Sequence, residues 1–594
     1  MQIQTPLNKL MTRPWFKHYP KAVRDAIPTY NLPKVPLYRF LESASEYFPD
    51  TCAVVYEPEN VIISYRDLMV LSQRFASGLV HICRVKKGDS VAICARNYPE
   101  FIIAFYGILL AGARYVACNP LLVEEETAYQ LQDADCRVVV ISEDKIPEMV
   151  KIHDAYPAVC RRIIVFDRDR ELKPGILQDA LPRLDPPFYR FVNVLLDKPF
   201  ERPHIDPAMD TAAVMYTSGT TGEAKGVMIS HFNAVSSSIC YYTTYTECFP
   251  EMDANGFLKC ENFQRDLSGK WEFPMRYGVD STLAVSPWTH MMGFIPYLNC
   301  SVMAGITVFP MPVFDMEKAL NLIRRWKISF AGGAPQMMAM LLARPDTEQI
   351  DLSSIRVWAT GSAPCPVAVG RKFEKRIGGV VSEGYSLTEA TVSSTKNYAG
   401  RSCKRKWGSV GIPLPFTDIK IVDLDTGSTL MPVGEEGQLI QKGPQVAVGY
   451  LNKPEETAEV FKDGWLYTGD VAKMDEDGYV YITGRLKEII IYKGYNIAPR
   501  MLEEILYQHP GVLQCAVVGK KDDLAGEIPV AFVSLKEGDE TSAGELTNFV
   551  NERVAGYKKI REMHIVDSLP MTGFGKILHQ NLKRQLEQNA RYGE

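Results

Sequence analysis

Short β-rich runs alternate with helical stretches from Ala53 to about Val313, and this alternation constrains the fold of the 594-residue chain most strongly. Runs rich in Val and Ile predict buried strands at residues 91–97, 137–143 and 161–167. Intervening stretches predict helices at residues 100–112 and 124–134. Such alternation is typical of α/β folds with largely parallel sheets. The chain is too long for one hydrophobic core, so we expect at least two domains.

The pattern of predicted strands, turns and helices changes in the last third of the sequence. From Gly408 to Tyr481, short strands separated by turns rich in Gly, Pro and Asp predict a small antiparallel barrel or sheet. After Gly484 the pattern favours a separate α+β domain. We therefore expect an N-terminal domain of residues 1–484, with a β-rich subdomain at about 408–484, and a C-terminal domain of residues 485–594 with a hinge near Lys487. The polar, Gly-punctuated residues 248–278 predict a surface insertion.

Composition argues against several functional classes. A formal net charge of −5 and a pI near 6.1 provide no basic field for nucleic acid. The 13 cysteines form no C-x-x-C pair, which indicates reduced thiols and a cytoplasmic protein. The N-terminus lacks the apolar core of a signal peptide. The apolar run from Phe101 to Ala113 is shorter than the roughly 20 residues of a bilayer span, so it predicts a buried helix and no integral membrane span. The oligomeric state stays open.

The strongest local signal runs from Tyr216 to Gly226, between two apolar segments that predict strands. Its three glycines allow backbone N–H groups to approach oxyanions, its four Ser and Thr hydroxyls can donate hydrogen bonds, and Lys225 can neutralise charge. This combination suits a polyphosphate. It is not a Walker A loop, because no Gly-Lys-Ser/Thr stands at the required spacing. An ordinary turn rich in Gly, Ser and Thr is the structural alternative.

Six further segments follow this loop along the chain: Pro287-Trp288-Thr289-His290, Gly361-Ser362-Ala363-Pro364, Gly384-Tyr385-Ser386-Leu387-Thr388-Glu389, Tyr467-Thr468-Gly469-Asp470, Gly484-Arg485 through Gly494, and Met571-Thr572-Gly573-Phe574-Gly575-Lys576. In kind and order they resemble the motifs of the adenylate-forming superfamily, which comprises acyl-CoA synthetases, peptide-synthetase adenylation domains and luciferases. The resemblance covers nearly the whole chain. Residues 13–20 are also similar to the opening of bacterial long-chain fatty-acid:CoA ligases. Two departures are Ala224, where the family usually has Pro, and Ile491, where some relatives carry Lys.

The resemblance implies ATP, Mg²⁺ and coenzyme A as cofactors and cosubstrates, with a small carboxylic acid as partner. It implies catalytic roles for Lys576, Glu389, Thr217 and His290, with Mg²⁺ on Glu389 and the ribose on Asp470. The nucleotide and CoA contacts that it implies come from Thr217, Ser218, Gly219, Thr220, Thr221, Gly222, Lys225, Gly361, Ser362, Ala363, Pro364, Gly384, Tyr385, Ser386, Thr388, Asp470, Arg485, Lys487, Gly494 and Tyr495. The acyl pocket that it implies is lined by His290, Met291, Met292, Gly293, Gly332, Gly333 and Gly384.

The implied fold is α/β, with a large N-terminal domain of two α/β subdomains plus a small β-barrel-like subdomain, followed by a small mobile α+β C-terminal domain. The implied activity is AMP-forming ligation of a carboxylic acid to CoA, with turning of the C-terminal domain between the two half-reactions. Residues 287–299 contain no acid that could hold an amino group, whereas Met291, Met292 and Phe294 favour a hydrophobic monocarboxylate, fatty, alicyclic or aromatic.

Two alternatives remain. The insertion at 248–278 leaves open a fatty-acyl-AMP ligase that loads an acyl carrier protein. A non-catalytic binding or sensor protein of the same fold is the second.

Overall fold

The computed structural model describes residues 6–166, 186–217, 224–260, 274–361, 363, 365–400, 403–493, 495–522, 524–571 and 577–591. The α-helices of these residues are α1 (Leu7–Leu10), α2 (Lys21–Ala26), α3 (Arg39–Tyr47), α4 (Tyr65–His81), α5 (Pro99–Leu110), α6 (Glu124–Asp133), α7 (Ile146–Ala155), α8 (Phe191–Val194), α9 (His231–Thr246), α10 (Cys300–Met303), α11 (Met316–Trp326), α12 (Pro335–Ala343), α13 (Val367–Ile377), α14 (Pro454–Val460), α15 (Pro499–Leu506), α16 (Ala543–Asn551) and α17 (His579–Arg591).

The strands of the same residues are β1 (Cys52–Tyr56), β2 (Val61–Ser64), β3 (Ser90–Cys94), β4 (Arg114–Ala117), β5 (Cys136–Ile141), β6 (Arg162–Val165), β7 (Phe188–Arg190), β8 (Thr211–Tyr216), β9 (Gly226–Ser230), β10 (Glu251–Met252), β11 (Leu258–Lys259), β12 (Ser281–Ala284), β13 (Thr307–Pro310), β14 (Phe330–Gly333), β15 (Val357–Thr360), β16 (Val380–Leu387), β17 (Val392–Lys396), β18 (Ile412–Pro413), β19 (Asp418–Val422), β20 (Gly437–Lys442), β21 (Gly449–Tyr450), β22 (Phe461–Lys462), β23 (Trp465–Met474), β24 (Val480–Arg485), β25 (Ile490–Tyr492), β26 (Tyr495–Ile497), β27 (Val512–Asp522), β28 (Gly526–Leu535) and β29 (Glu562–Ile565).

Two large mixed sheets contain the alternating part of the chain. Sheet I has nine strands in the order β18-β17-β16-β15-β14-β12-β13-β1-β2, and sheet II has eight in the order β21-β9-β8-β4-β3-β5-β6-β7. Their inner strands are parallel, whereas β2, β17 and β18 of sheet I and β9 and β21 of sheet II pair antiparallel. The three predicted strands become β3, β5 and β6, which are neighbours in sheet II. The α/β prediction is confirmed.

Two smaller sheets form the last third of the chain. Sheet III is antiparallel, with the order β19-β20-β23-β22 and β24 paired to β23. Sheet IV has the order β26-β25-β28-β27, with β29 added parallel to β28. They correspond to the predicted β-rich segment and to the predicted α+β segment. The division into two domains at residue 485 stays a prediction.

The helix α5 belongs to the largest hydrophobic core, and every one of its residues is buried. It contains most of the apolar run that begins at Phe101, in agreement with the predicted buried helix. In the part of the chain that the structure describes, no helix is both long and apolar enough to cross a bilayer. Each of the 13 cysteines is a free thiol.

Residues 251–259 of the predicted surface insertion form the β10–β11 hairpin, which contacts α3, whereas Cys260, Met275 and Tyr277 of the same segment are buried in the largest hydrophobic core. The Leu258 N–H donates to Ser43 Oγ at 2.9 Å, and Tyr47 Oη donates to Asp253 Oδ2 at 2.6 Å. Residues 261–273 of the insertion lie outside the described residues. The hairpin is thereby anchored to the N-terminal part of the fold.

Candidate active site

Thr217 and Lys225 close the base of the predicted phosphate loop. The Thr217 N–H donates to the Lys225 carbonyl at 3.0 Å, next to the antiparallel pair Tyr216–Gly226. The loop is therefore the connection of the β8–β9 hairpin, with strands on both sides as predicted. Ser218, Gly219, Thr220, Thr221 and Gly222 lie outside the described residues, so their phosphate contacts stay predictions.

A tyrosine links the base of this loop to the predicted magnesium ligand. Lys225 Nζ lies 5.1 Å from the ring centroid of Tyr450, and Tyr450 Oη donates to Glu389 Oε1 at 2.8 Å. Burial, together with the Glu389 carboxylate, raises the pKa of Tyr450 well above its usual value. Tyr450 is on β21 of sheet II, whereas Glu389 follows β16 of sheet I in a short turn that begins at Thr388. The contact therefore joins the two large sheets.

Glu389 fits the requirements of a magnesium ligand. Its carboxylate is a hard oxygen donor, and only one of its oxygens receives the Tyr450 hydroxyl. Among the described residues, no group of three or more His, Cys, Asp and Glu side chains could hold a metal ion. A magnesium ion on Glu389 would accordingly take most of its remaining ligands from phosphate and water, as this ion commonly does.

A second chain of contacts joins sheets I and III. Tyr385 Oη donates to Asp470 Oδ2, and Arg485 Nε lies 2.7 Å from Asp470 Oδ1. The Asp470 side chain is 3% exposed, whereas that of Arg485 is 41% exposed. The Asp470 charge raises the pKa of Arg485, and burial with the same charge raises that of Tyr385. Each carboxylate oxygen has more than one acceptor position, so Asp470 retains capacity for two ribose hydroxyls.

The two predicted adenine segments stand side by side. Thr360, the last residue of β15, pairs in parallel register with Glu383 in the middle of β16, which places Gly361 beside Gly384. A Cβ on Gly361 would lie 3.4 Å from the Gly384 carbonyl oxygen. Ala363 belongs to the same segment as Gly361, whereas Ser362 and Pro364 of this segment lie outside the described residues. Ser386 continues β16 beyond Tyr385 toward Glu389.

The predicted gate residue His290 lies in the turn before a short π-helix of residues 293–299. Its Nδ1 accepts from the Met292 N–H at 3.3 Å, so the neutral ring carries its proton on Nε2. Met291 and Met292 are buried. A Cβ on Gly293 would overlap the Pro287 carbonyl, so this position requires glycine.

Gly332 and Gly333 are successive residues of β14 and face opposite sides of sheet I. A Cβ on Gly332 would overlap Tyr297 Oη, whereas a Cβ on Gly333 would overlap the Met337 side chain. Gly332 thus faces the side of α9 and the π-helix. Gly333 faces the side of α12.

The predicted C-terminal contacts are only partly described. Lys487 lies in the turn that follows Arg485, and the Tyr495 ring stacks on Tyr557 at 4.7 Å. Met571 and Ile577 form an antiparallel bridge on either side of residues 572–576. Gly494 and Lys576 lie outside the described residues, so their roles stay predictions.

Sequence reasoning missed Tyr450 and a buried pair of ionisable residues, Glu383 and Lys396. Nothing around Tyr450 in the sequence marks it, because both of its partners are distant in the chain. Lys396 ends β17, a strand whose every residue is buried. That burial is not visible in the sequence, because four of the five residues of this strand are polar or charged, and such residues are mostly exposed.

These contacts connect residues of three sheets, and the Lys225–Tyr450–Glu389 contacts reach the base of the glycine-rich hairpin loop. The family model of the AMP-binding enzyme matches residues 41–451, and that of the AMP-binding enzyme C-terminal domain matches residues 501–576. The chain belongs to the AMP-binding enzyme family.

The relatives agree with this assignment. The chain is 34% identical to a long-chain-fatty-acid–CoA ligase of Bacillus subtilis, over 97% of this chain and 99% of the relative. It is 30% identical to 4-coumarate–CoA ligase 2 of Oryza sativa, over 96% of both. ATP-bound MatB from Rhodopseudomonas palustris has a similar structure, with a TM-score of 0.78, 26% identity, and coverage of 93% of this chain and 100% of MatB. The protein is an AMP-forming acid–thiol ligase, of a family that uses ATP and CoA.

Proposed function

We propose that this enzyme activates a hydrophobic monocarboxylate as an acyl-adenylate and transfers the acyl group to CoA. One observation carries the proposal: two contact chains, Lys225–Tyr450–Glu389 and Tyr385–Asp470–Arg485, meet on one segment, since Tyr385 and Glu389 are four residues apart in sequence. The first chain supplies a cation and a magnesium ligand for phosphates. The second supplies a buried carboxylate for the ribose.

In the first step, the substrate carboxylate attacks the α-phosphorus of ATP, and the bond to pyrophosphate breaks. The obstacle is electrostatic, because an anion approaches a polyanion and negative charge moves onto the leaving group. Positive charge fixed in place before the reaction lowers that barrier. Lys225 and Lys576 would supply it from this chain, and magnesium on Glu389 would neutralise phosphate charge when bound. No general base is required, since a carboxylic acid with a pKa near about 4 is ionised at neutral pH.

In the second step, the CoA thiolate attacks the acyl carbon of the adenylate, and AMP leaves. Lys576 has no evident use in this step. We therefore propose that the C-terminal domain turns about Lys487, withdraws Lys576 and presents Gly494 and Tyr495 to the thiol. Movement between two rigid bodies at a hinge is a common way to separate half-reactions.

The acid is proposed from the residues near His290. Met291 and Met292 are buried, apolar and adaptable in shape. Gly332 contributes no side chain on the same side of sheet I, where the Tyr297 hydroxyl lies against its backbone. The two named relatives act on acids of different kinds, so the acid class rests on these pocket residues.

Pyrophosphate release tests the proposal. Purified enzyme, ATP and Mg²⁺ would be mixed with acids of increasing chain length and ring content, with and without CoA, and thioesters would be identified by mass spectrometry. We expect pyrophosphate only with a matching acid and a thioester when CoA is added. Thioester formation with a holo-carrier protein but not with CoA would identify an acyl-AMP ligase instead. Absence of pyrophosphate release with every acid tested would contradict an enzymatic role.

A further inference from the structure

A buried lysine lies in the compartment enclosed by α9, the π-helix of residues 293–299 and the sheet I strands β14, β16 and β17. Lys396 is 2% exposed, and its Nζ donates to the Ser382 carbonyl at 3.2 Å. The same Nζ lies 4.9 Å from the ring centroid of Tyr241 and 5.6 Å from that of Tyr245. A backbone carbonyl and two aromatic faces are thus the immediate surroundings of this ammonium.

Such surroundings compensate a buried ammonium only in part. Burial lowers the pKa of Lys396 to about 7, and the Glu383 carboxylate opposes that effect. Glu383 is itself buried, with a pKa raised to about 7, and its Oε1 accepts from the Cys365 N–H at 3.1 Å. A buried charge is costly unless it is paired. A lysine at position 396 therefore reduces the folding free energy that an apolar side chain at the same position would provide.

The position of Lys396 connects it to the acyl pocket. Lys396 and Gly384 are opposite each other in the β16–β17 pair, and a Cβ on Gly384 would lie 3.5 Å from Lys396 Nζ. Gly384 is one of the residues predicted to line the pocket. The ammonium reaches back to Ser382, two residues before Gly384 and hence roughly 7 Å further from the carboxyl end of β16. Lys396 Nζ accordingly lies behind Gly384, on the side that is further along β16 from Tyr385 and Glu389.

The tyrosines around Lys396 add further polar groups. Tyr245 Oη donates to Tyr241 Oη at 3.0 Å. The hydroxyls of Tyr242 and Tyr297 are buried, and each lacks a hydrogen-bond partner among the residues that the structure describes. Buried hydroxyls normally have partners, because leaving one unpaired costs about 1–3 kcal/mol. Tyr297 faces Gly332, so this unused hydroxyl borders the same compartment as the ammonium.

We propose that Lys396 is a specificity-determining residue that binds an oxygen substituent, such as a hydroxyl, carbonyl or carboxylate oxygen, at the end of the acid remote from the reacting carboxylate. The inference rests on the proposed function and refines it: the acid has an apolar middle that passes Met291 and Met292, and a hydrogen-bond acceptor at its far end. An unsubstituted hydrocarbon tail would leave the ammonium buried without a ligand partner. An acceptor oxygen would pair with it.

The test compares acids of equal length with and without the oxygen. Suitable probes are straight-chain acids, their ω-hydroxy and dicarboxylic counterparts, and 3-phenylpropanoic acid against its 4-hydroxyphenyl form. For the wild type, we expect kcat/KM in pyrophosphate release to be at least tenfold higher for an oxygen-bearing acid than for its unsubstituted partner. Lys396→Met should abolish this preference without slowing the unsubstituted acid, and Lys396→Arg should retain it.

Lys442→Met is the matched control. Lys442 is 9% exposed, donates to the Asp463 carbonyl at 3.3 Å and lies 5.6 Å from the Trp465 ring centroid, but it is on β20 of sheet III. Its replacement should leave the preference unchanged. The inference is overturned if the wild type favours the unsubstituted acid at every length, or if Lys396→Met slows both members of a pair equally. If Lys396→Met does not fold, the wild-type comparison decides the question alone. Failure of every acid to support pyrophosphate release would instead contradict the proposed function.

Discussion

Replacement of Asp470 by asparagine tests the ribose assignment with little change of shape. Asp470 is almost fully buried and receives Tyr385 and Arg485. An asparagine oxygen can still accept from Tyr385, and the half-exposed Arg485 can be hydrated, so the fold should survive. A hydrogen bond to a charged acceptor contributes about 1.5–3 kcal/mol, against about 0.5–1.5 kcal/mol for a neutral one. Loss of the carboxylate charge from two hydrogen bonds with the ribose hydroxyls should therefore cost about 2–3 kcal/mol of binding free energy. This corresponds to a rise of about 30- to 150-fold in the KM for ATP.

The assay is initial-rate pyrophosphate release with ATP varied at saturating acid, and the KM for the acid serves as an internal reference. Asp475→Asn is a matched control, because Asp475 also receives a basic side chain and a phenol, Lys406 at 2.6 Å and Tyr481 at 3.1 Å. It follows the same strand, β23, but lies outside the predicted nucleotide site. Asp475→Asn should leave the KM for ATP unchanged. An unchanged KM in a folded Asp470→Asn enzyme would refute the ribose assignment.

Three further perturbations test the remaining parts. Lys576→Ala should slow acyl-CoA formation from acid, ATP and CoA by about 10²–10³-fold but not from synthetic acyl-AMP and CoA; equal loss in single-turnover assays of both would contradict a role confined to adenylation. Tyr450→Phe removes the hydroxyl that orients Glu389, so we expect roughly a tenfold higher half-saturating Mg²⁺ concentration, and an unchanged Mg²⁺ titration would exclude that link. Burial lowers the pKa of His231 from 6.5 to about 4, so the folded state resists protonation, and about 3 kcal/mol of stability should be lost as pH falls from 6.5 to 4. The melting temperature of His231→Gln, which can still accept the Leu37 N–H, should fall less over that range; parallel curves would contradict the assignment.

Local patterns along the chain were sufficient for much of the fold. The strands β3, β5 and β6 and the helices α5 and α6 follow from apolar periodicity, because each element's pattern lies within a short stretch of sequence. The hairpin loop after Tyr216 follows from its composition and from the apolar runs beside it. The family motifs added the order of the site residues. Their roles were implied by that resemblance and stay predictions.

The residues that sequence reasoning missed are those whose importance depends on distant partners. Lys396 is a polar residue at the end of an ordinary strand until β17 pairs with β16 and places its ammonium behind Gly384. Gly332 and Gly333 look equivalent in sequence, yet the pleat of β14 points them to opposite sides of sheet I. The buried ammonium behind Gly384 was therefore not predictable from the Met-rich segment around Met291.

The sequence by itself determined the α/β class, the buried helix α5, the hairpin connection after Tyr216 and the family. These properties depend on residue types at short, regular spacings. The tertiary structure decided which side chains meet: Tyr450 reaches Glu389 across 61 residues, and Tyr385 reaches Asp470 across 85. Those contacts depend on the order of strands in three sheets, in which neighbours in space are not neighbours in the chain. Strand order is a collective result of packing the whole core, so no single segment of the sequence encodes it.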